Sequence, residues 1–162
     1  MVKAKAAKTL QKRRLLKLAA LLQADAKNRK GIRFDINSVG HKANGEDFNP
    51  KEAVPLDCGT SACAMGLASI SGVFKKQGLS YMVDGGHIWN TFNGRLIDYD
   101  LAAMRLFGVT REQAYYLFAS FTYPVKNLEG AAGEREVVRR IKRVVEGKPI
   151  KKESPLGSGV YL

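Results

Sequence analysis

The chain is short of cysteine, histidine and tryptophan: its 162 residues include two Cys, two His and one Trp. Two cysteines five positions apart, in a chain without a convincing export signal, do not imply a disulfide framework. Lys12-Arg13-Arg14 before Leu15–Leu22 is the nearest approach to a signal peptide, and Lys17 interrupts it. No stretch comes near the roughly 20 apolar residues of a membrane span. Internal repeats and low-complexity tracts are absent, and no cofactor motif is present, so no cofactor is expected. Acids are scarce too: 15 Asp+Glu against 27 Lys+Arg leave a net charge of +12, which excludes an acidic solvating protein and favours polyanionic partners.

What is present is a 45% hydrophobic composition, enough for one domain with a real core. The charge is unevenly placed. Residues 1–30 carry net +9 with Asp25 as their one acid, residues 134–152 carry +5, and residues 31–133 carry −1. The sequence therefore reads as a basic helix or arm (1–30), a globular body (31–147) and an extended or mobile tail (148–162).

Residues 4–28 contain good helix formers without Gly or Pro, and Ala7, Leu10, Leu15, Leu18 and Leu22 form a narrow stripe. The stripe predicts docking of the second half of this helix. Residues 31–57 are Gly- and Pro-punctuated and read as a long irregular loop. Thr60 or Ser61 can cap a helix burying Cys63, Leu67, Ile70 and Phe74. Asn93-Gly94 between β-rich runs predicts a hairpin, widened to three strands by residues 79–83. A short helix over 101–107 ends at Gly108. Thr110 to Gln113 is a capping box opening a helix to about Phe121. A last helix over about 131–146 places Val137, Val138, Ile141, Val144 and Val145 on one face, with Gly147 and Pro149 as stop signals. The fold class is α+β: about five helices packed with one hairpin or a three-stranded antiparallel sheet.

Hairpin register about Asn93-Gly94 puts His87 opposite Asp100 and Trp89 opposite Asp98, with Ile88, Phe92, Ile97 and Tyr99 on the core face. Cys58, placed before or at a helix start, gains from the positive end of the dipole. Cys58, then Gly86-His87-Ile88-Trp89, then Asp98-Tyr99-Asp100 resemble in order the papain and transglutaminase-like thiol enzymes. That resemblance implies Cys58 as nucleophile, His87 as base and Asp100 as orienting acid, although Asp57 opposes a thiolate. The plainer reading has Cys58 and Cys63 as small core residues and Asp98 and Asp100 as helix caps. Cys58, Cys63, His41 and His87 could make a four-ligand zinc set, but Cys-x4-Cys is at the wide edge of structural-site spacing, and no metal is assigned.

Cys58-Gly59-Thr60-Ser61-Ala62-Cys63-Ala64-Met65-Gly66, with Leu106 to Ala114 and Leu117-Phe118 downstream, resembles small uncharacterised bacteriophage and bacterial proteins. They carry Cys-Gly-Thr-x-x-Cys-x-x-Gly followed by Leu-Gly-Leu-Thr-x-x-Glu-Ala and Leu-Phe. The likeness spans about residues 57–122, brings no activity with it and implies a structural motif, in a phage-encoded protein of the host cytoplasm or the virion.

Helices 101–107 and 110–121 also have the outline of a helix-turn-helix, but Thr110, Arg111, Glu112, Tyr115 and Tyr116 are a poor base-reading set, and a packed helical hairpin fits better. The basic ends carry the stronger expectation. Lys8, Lys12, Arg13, Arg14 and Lys17, with Arg139, Arg140, Lys142 and Arg143, are the candidate phosphate contacts to nucleic acid or a nucleoprotein complex. An acidic protein is the alternative partner, in an inhibitor or virion component. The absence of Trp or Phe on the apolar face of the first helix argues against lipid.

Overall fold

The structure, a computed structural model, describes residues 2–28, 30–124, 126 and 128–150, with side chains from Lys8 onward. The tail expected over 148–162 therefore lies mostly outside the described residues. Its first three residues continue from the last helix: Lys148 N–H donates to the Arg143 carbonyl (3.0 Å), and Ile150 packs on the core.

The chain is α+β, and the described residues form five α-helices and two three-stranded sheets. Helix α1 (Val2–Lys27) buries Leu15, Leu18, Ala19 and Leu22 and leaves Leu10 exposed, so its second half docks. The leucines decide this, because Lys and Arg occupy the rest of the circumference and keep their charges in water.

Residues 31–57, expected to be an irregular loop, instead supply two edge strands. β1 (Arg33–Phe34) and β2 (His41–Lys42) flank β3 (Thr60–Ala62), parallel and antiparallel to it respectively. Ile32, Phe34 and Ile36 are buried at period two with Arg33 exposed between them, the pattern of a half-buried strand. Beyond β1, Ile36 N–H donates to the Leu128 carbonyl (3.0 Å), which ties the segment to the start of the last helix.

Because Thr60 and Ser61 lie in β3, neither caps the following helix. Cys63 does: its Sγ accepts from Gly66 N–H (3.4 Å) at the start of α2 (Ala64–Ile70), a seven-residue helix buried all round. A helix without a polar face needs cover on every side. The second sheet, β4 (Leu79–Asp84), β5 (His87–Phe92) and β6 (Arg95–Leu96), supplies part of it.

Two tight turns make that sheet. Gly85-Gly86 (φ 55° and 76°) and Asn93-Gly94 (φ 52° and 78°) each place two consecutive residues at positive φ, the type I′ signature. The β5–β6 pairing stops after Phe92↔Arg95 and Thr91↔Leu96. Ile97 N–H reaches the Asn90 carbonyl (3.1 Å), and the chain then turns into α3 (Tyr99–Phe107).

α3 ends at Gly108, and α4 (Arg111–Phe118) opens on the expected capping box, with Thr110 Oγ1 accepting from Gln113 N–H and Gln113 Oε1 from Thr110 N–H. It ends three residues short of Phe121. Tyr116, expected on its exposed side, is buried. The final helix α5 (Gly130–Val145) buries Val137, Val138 and Ile141 and lies lengthwise along α1.

Candidate functional site

The helices that carry the two basic ends of the sequence, α1 and α5, pack on each other. Asp25, near the end of α1, meets Glu134, near the start of α5, so the two packed helices run in opposite directions. Between them lies a groove of about 260 Å³ lined by Leu22, Gln23, Ala26, Glu134, Arg135, Val138, Arg139 and Lys142. Arg135, Arg139 and Lys142 follow the i, i+4, i+3 spacing that keeps side chains on one helix face, and all three are exposed. On α1, Lys12 lies about three turns before Gln23 and Lys8 four residues before Lys12, a spacing that keeps both exposed lysines on the Gln23 side of the helix. Arg135 was not among the expected contacts; its place four residues before Arg139 is the signal that marks it.

Not every expected cation reaches this surface. Arg140 is fully buried, which removes it from the phosphate contacts. Its Nη1 donates to the Tyr116 carbonyl (2.7 Å) and Thr122 Oγ1 (2.8 Å), its Nη2 to the Thr122 carbonyl (2.6 Å), and its Nε to Glu136 (2.9 Å). The guanidinium lies 3.7 Å from the ring centre of Tyr123 and 4.6 Å from that of Tyr116. Burial of the charge is compensated on all sides, and Arg140 is structural.

Arg14 is half-buried and donates to the Leu106 carbonyl (2.9 Å), supporting the end of α3. Lys17 is exposed but lies over the Phe74 ring (5.8 Å), toward α2 and α3. Arg13 is exposed away from the buried stripe. Arg143 donates to the Pro149 carbonyl (2.8 Å), and Arg139 pairs with Glu136 through two bonds (2.8 and 2.5 Å) while half its side chain stays in water. Glu136 is held below the usual carboxylate range by Arg139 and Arg140, which outweigh its partial burial.

Under the seam, Glu134 is 3% exposed, and its Oε1 has no hydrogen-bond partner. Burial, and then the hydrogen bond and charge of Asp25, push its carboxyl up to about 8, against the opposing pull of Arg135. Asp25 is raised by burial as well, while its Oδ1 accepts from Ile32 N–H (3.2 Å). A carboxyl raised to about 8 keeps its proton below that pH and places less negative charge beneath the cationic groove.

Unfolded, Glu134 would lose its proton near 4.5. The folded chain therefore binds more protons between that value and about 8, and its extra stability, complete below 4.5, is lost as pH rises through 8. Urea unfolding at pH 5, 6.5 and 8 should show this decline. Glu134→Gln, whose amide can donate permanently to Asp25, should flatten it and raise stability at pH 8 by on the order of 1–2 kcal/mol, allowing for water in the groove. An unchanged slope would remove the pair from the pH response.

The expected Cys58, His87 and Asp100 triad does not assemble. His87 pairs across β4–β5 with Asp84, not with Asp100, because β6 ends after two residue pairs. Asp100 is buried in the first turn of α3 and pairs with Arg111 (3.3 Å). Cys58 lies five residues before the α2 cap, in the turn entering β3, so its exposed thiol is not at the start of α2. No hydrogen bond joins Cys58 to His87, and neither groove lined by Cys58 includes His87. Cys63 is the small buried residue of the plainer reading, its thiol pushed up by burial. Among the described residues no three His, Cys, Asp or Glu side chains are grouped to hold a metal ion, and no helix is long and apolar enough to cross a membrane.

No family model, curated protein or solved structure matches the chain. Its chemistry rests on its own surface, where one polar arrangement stands out: a strip of cations along a helix seam, over the carboxyls of Asp25 and Glu134. Such a strip presents several donors to a row of anionic oxygens. It brings no nucleophile next to a base.

Proposed function

We propose that this chain is a small basic accessory protein of the phage type that binds nucleic acid, free or in a nucleoprotein complex, through the paired surface of α1 and α5. The observation that carries the reading is the packing of these two helices, which sets exposed Arg135, Arg139 and Lys142 of α5 along a groove shared with α1; by helical spacing, exposed Lys8 and Lys12 follow on the Gln23 side of α1. Phosphates set along a backbone match cations repeated along a helix, and the released counterions drive association without reading sequence.

Mobility shift over a salt series tests it. The triple variant Lys12→Gln, Arg135→Gln, Lys142→Gln should bind at least tenfold more weakly at low salt. Its plot of log affinity against log salt should be shallower by roughly 0.7–0.9 for each phosphate contact removed. Lys51→Gln, an exposed lysine in the segment between β2 and β3, should leave both unchanged. Absence of binding at low salt, or a slope indifferent to the triple variant, would sink the proposal.

A further inference from the structure

Three aromatic rings, from α3, α4 and the turn after α4, form a series. Tyr99 and Tyr115 lie 6.4 Å apart between ring centres, and Tyr115 and Phe121 6.1 Å apart, in tilted arrangements. Phe121 is 62% exposed and Tyr115 36%, a large apolar surface to leave in water. Phe121 sits in the 3₁₀ turn Ser120–Thr122, and the next residue, Thr122, is the one Arg140 holds through its hydroxyl and its carbonyl. Arg139 and Arg143 flank Arg140 on α5, and exposed Lys126 follows the turn. The other end of the series differs: Asp98 and Glu112 are exposed beside Tyr99 and Tyr115, and Asp100 is paired with Arg111. The cation at that end, Arg111, is thus already ion-paired, whereas Arg139, Arg143 and Lys126 lie on the segments next to Phe121.

We infer that the polyanion bound by this protein is single-stranded nucleic acid, with an unpaired base stacked on Phe121 and Tyr115 while the adjoining phosphates lie on the cations of α5. The inference rests on the proposed function and narrows it. Stacked duplex bases present only their edges, so exposed rings beside a phosphate track are useful to a strand whose bases are free. An acidic peptide complements the cations but has no flat faces for the rings.

Fluorescence anisotropy with a labelled 15-nucleotide single strand and the matching 15-base-pair duplex, at one salt concentration, tests this. The single strand should bind the more tightly. Phe121→Ala should weaken it about tenfold, Phe121→Trp should restore it, and duplex affinity should change less than twofold. Phe121 is exposed enough for both variants to fold, which a thermal melt verifies. Equal affinity for the two forms, a Phe121→Ala effect below twofold, or equal competition by polyglutamate would overturn the stacking inference. If the triple lysine and arginine variant still weakened binding, the phosphate reading would survive that loss. Binding of neither nucleic acid would remove both.

Discussion

Arg140→Met is expected to lower the free energy of unfolding by about 3–5 kcal/mol, the usual result of removing one member of a buried, fully partnered charge group. The side chain is fully buried and holds two carbonyls, a hydroxyl and a carboxylate at 2.6–2.9 Å. Methionine fills much of the volume but leaves the Tyr116 and Thr122 carbonyls without those donors, and each unsatisfied buried group costs about 1–3 kcal/mol. Arg140→Lys keeps the charge and should recover less than half of the loss, because an ammonium cannot reproduce a planar fork lying 3.7 Å from the Tyr123 ring. Urea unfolding followed by circular dichroism measures both. A loss below 1 kcal/mol for Arg140→Met would show that the turn at Thr122 is held by other contacts.

Gly66→Ala is expected to cost at least about 3 kcal/mol, at the severe end of overpacking, and to deplete soluble protein. A Cβ on Gly66 would fall 1.5 Å from the Val39 carbonyl oxygen and 2.7 Å from its carbonyl carbon, and backbone has little freedom to withdraw. The strap that blocks it cannot move alone. Ser38 accepts from Cys63 N–H (2.7 Å) and Gly40 from Ile88 N–H (3.0 Å), so displacing Val39 would pull on both the α2 cap and β5. Gly59→Ala makes the control: its Cβ would meet only the Asp57 carboxylate, at 3.0 Å, and it should cost less than about 1 kcal/mol. Thermal melts of the two variants, with soluble yield, separate these outcomes. Melting points for Gly66→Ala within two degrees of the parent would show that α2 can shift without loss.

The contrast gives the Cys-Gly-Thr-x-x-Cys-x-x-Gly run a physical sense. Thr60 Oγ1 donates to the Pro55 carbonyl (2.8 Å), Cys63 caps α2, and Gly66 admits a crossing backbone. Thr60, Cys63 and Gly66 thus each serve local packing. The features that the sequence disclosed well are those whose signals are local. Asn93-Gly94 dictates its own turn, Thr110 and Gln113 their own cap, and the valines of α5 their own buried face. Ile32, Phe34 and Ile36 also carried a legible alternation, which surrounding glycines and prolines obscured.

The candidate surface was legible only in part. The sequence marks where cations are abundant but not which helices meet, because that depends on apolar stripes about a hundred residues apart finding each other. Arg140 looked like one more surface cation. Yet it stands three residues after Val137 and four before Val144, inside the apolar stripe, and that position was the available sign of burial. The triad failed for a related reason: register counted from one turn assumes that the strands run on. Here Ile97 bonds back to Asn90 and the chain turns into α3 before His87 can find a partner on β6.

Pairing α1 with α5 has a consequence for how the protein is made. The apolar stripe of the first helix has its largest partner in the last one, so a growing chain carries Leu15, Leu18 and Leu22 uncovered on that side until about residue 145 has left the ribosome. This closure joins helices more than a hundred residues apart and belongs among the slowest contacts to form. The cationic strip is thus assembled only after α5 has emerged, and a nascent chain on the ribosome carries the charges of α1 before it carries the surface.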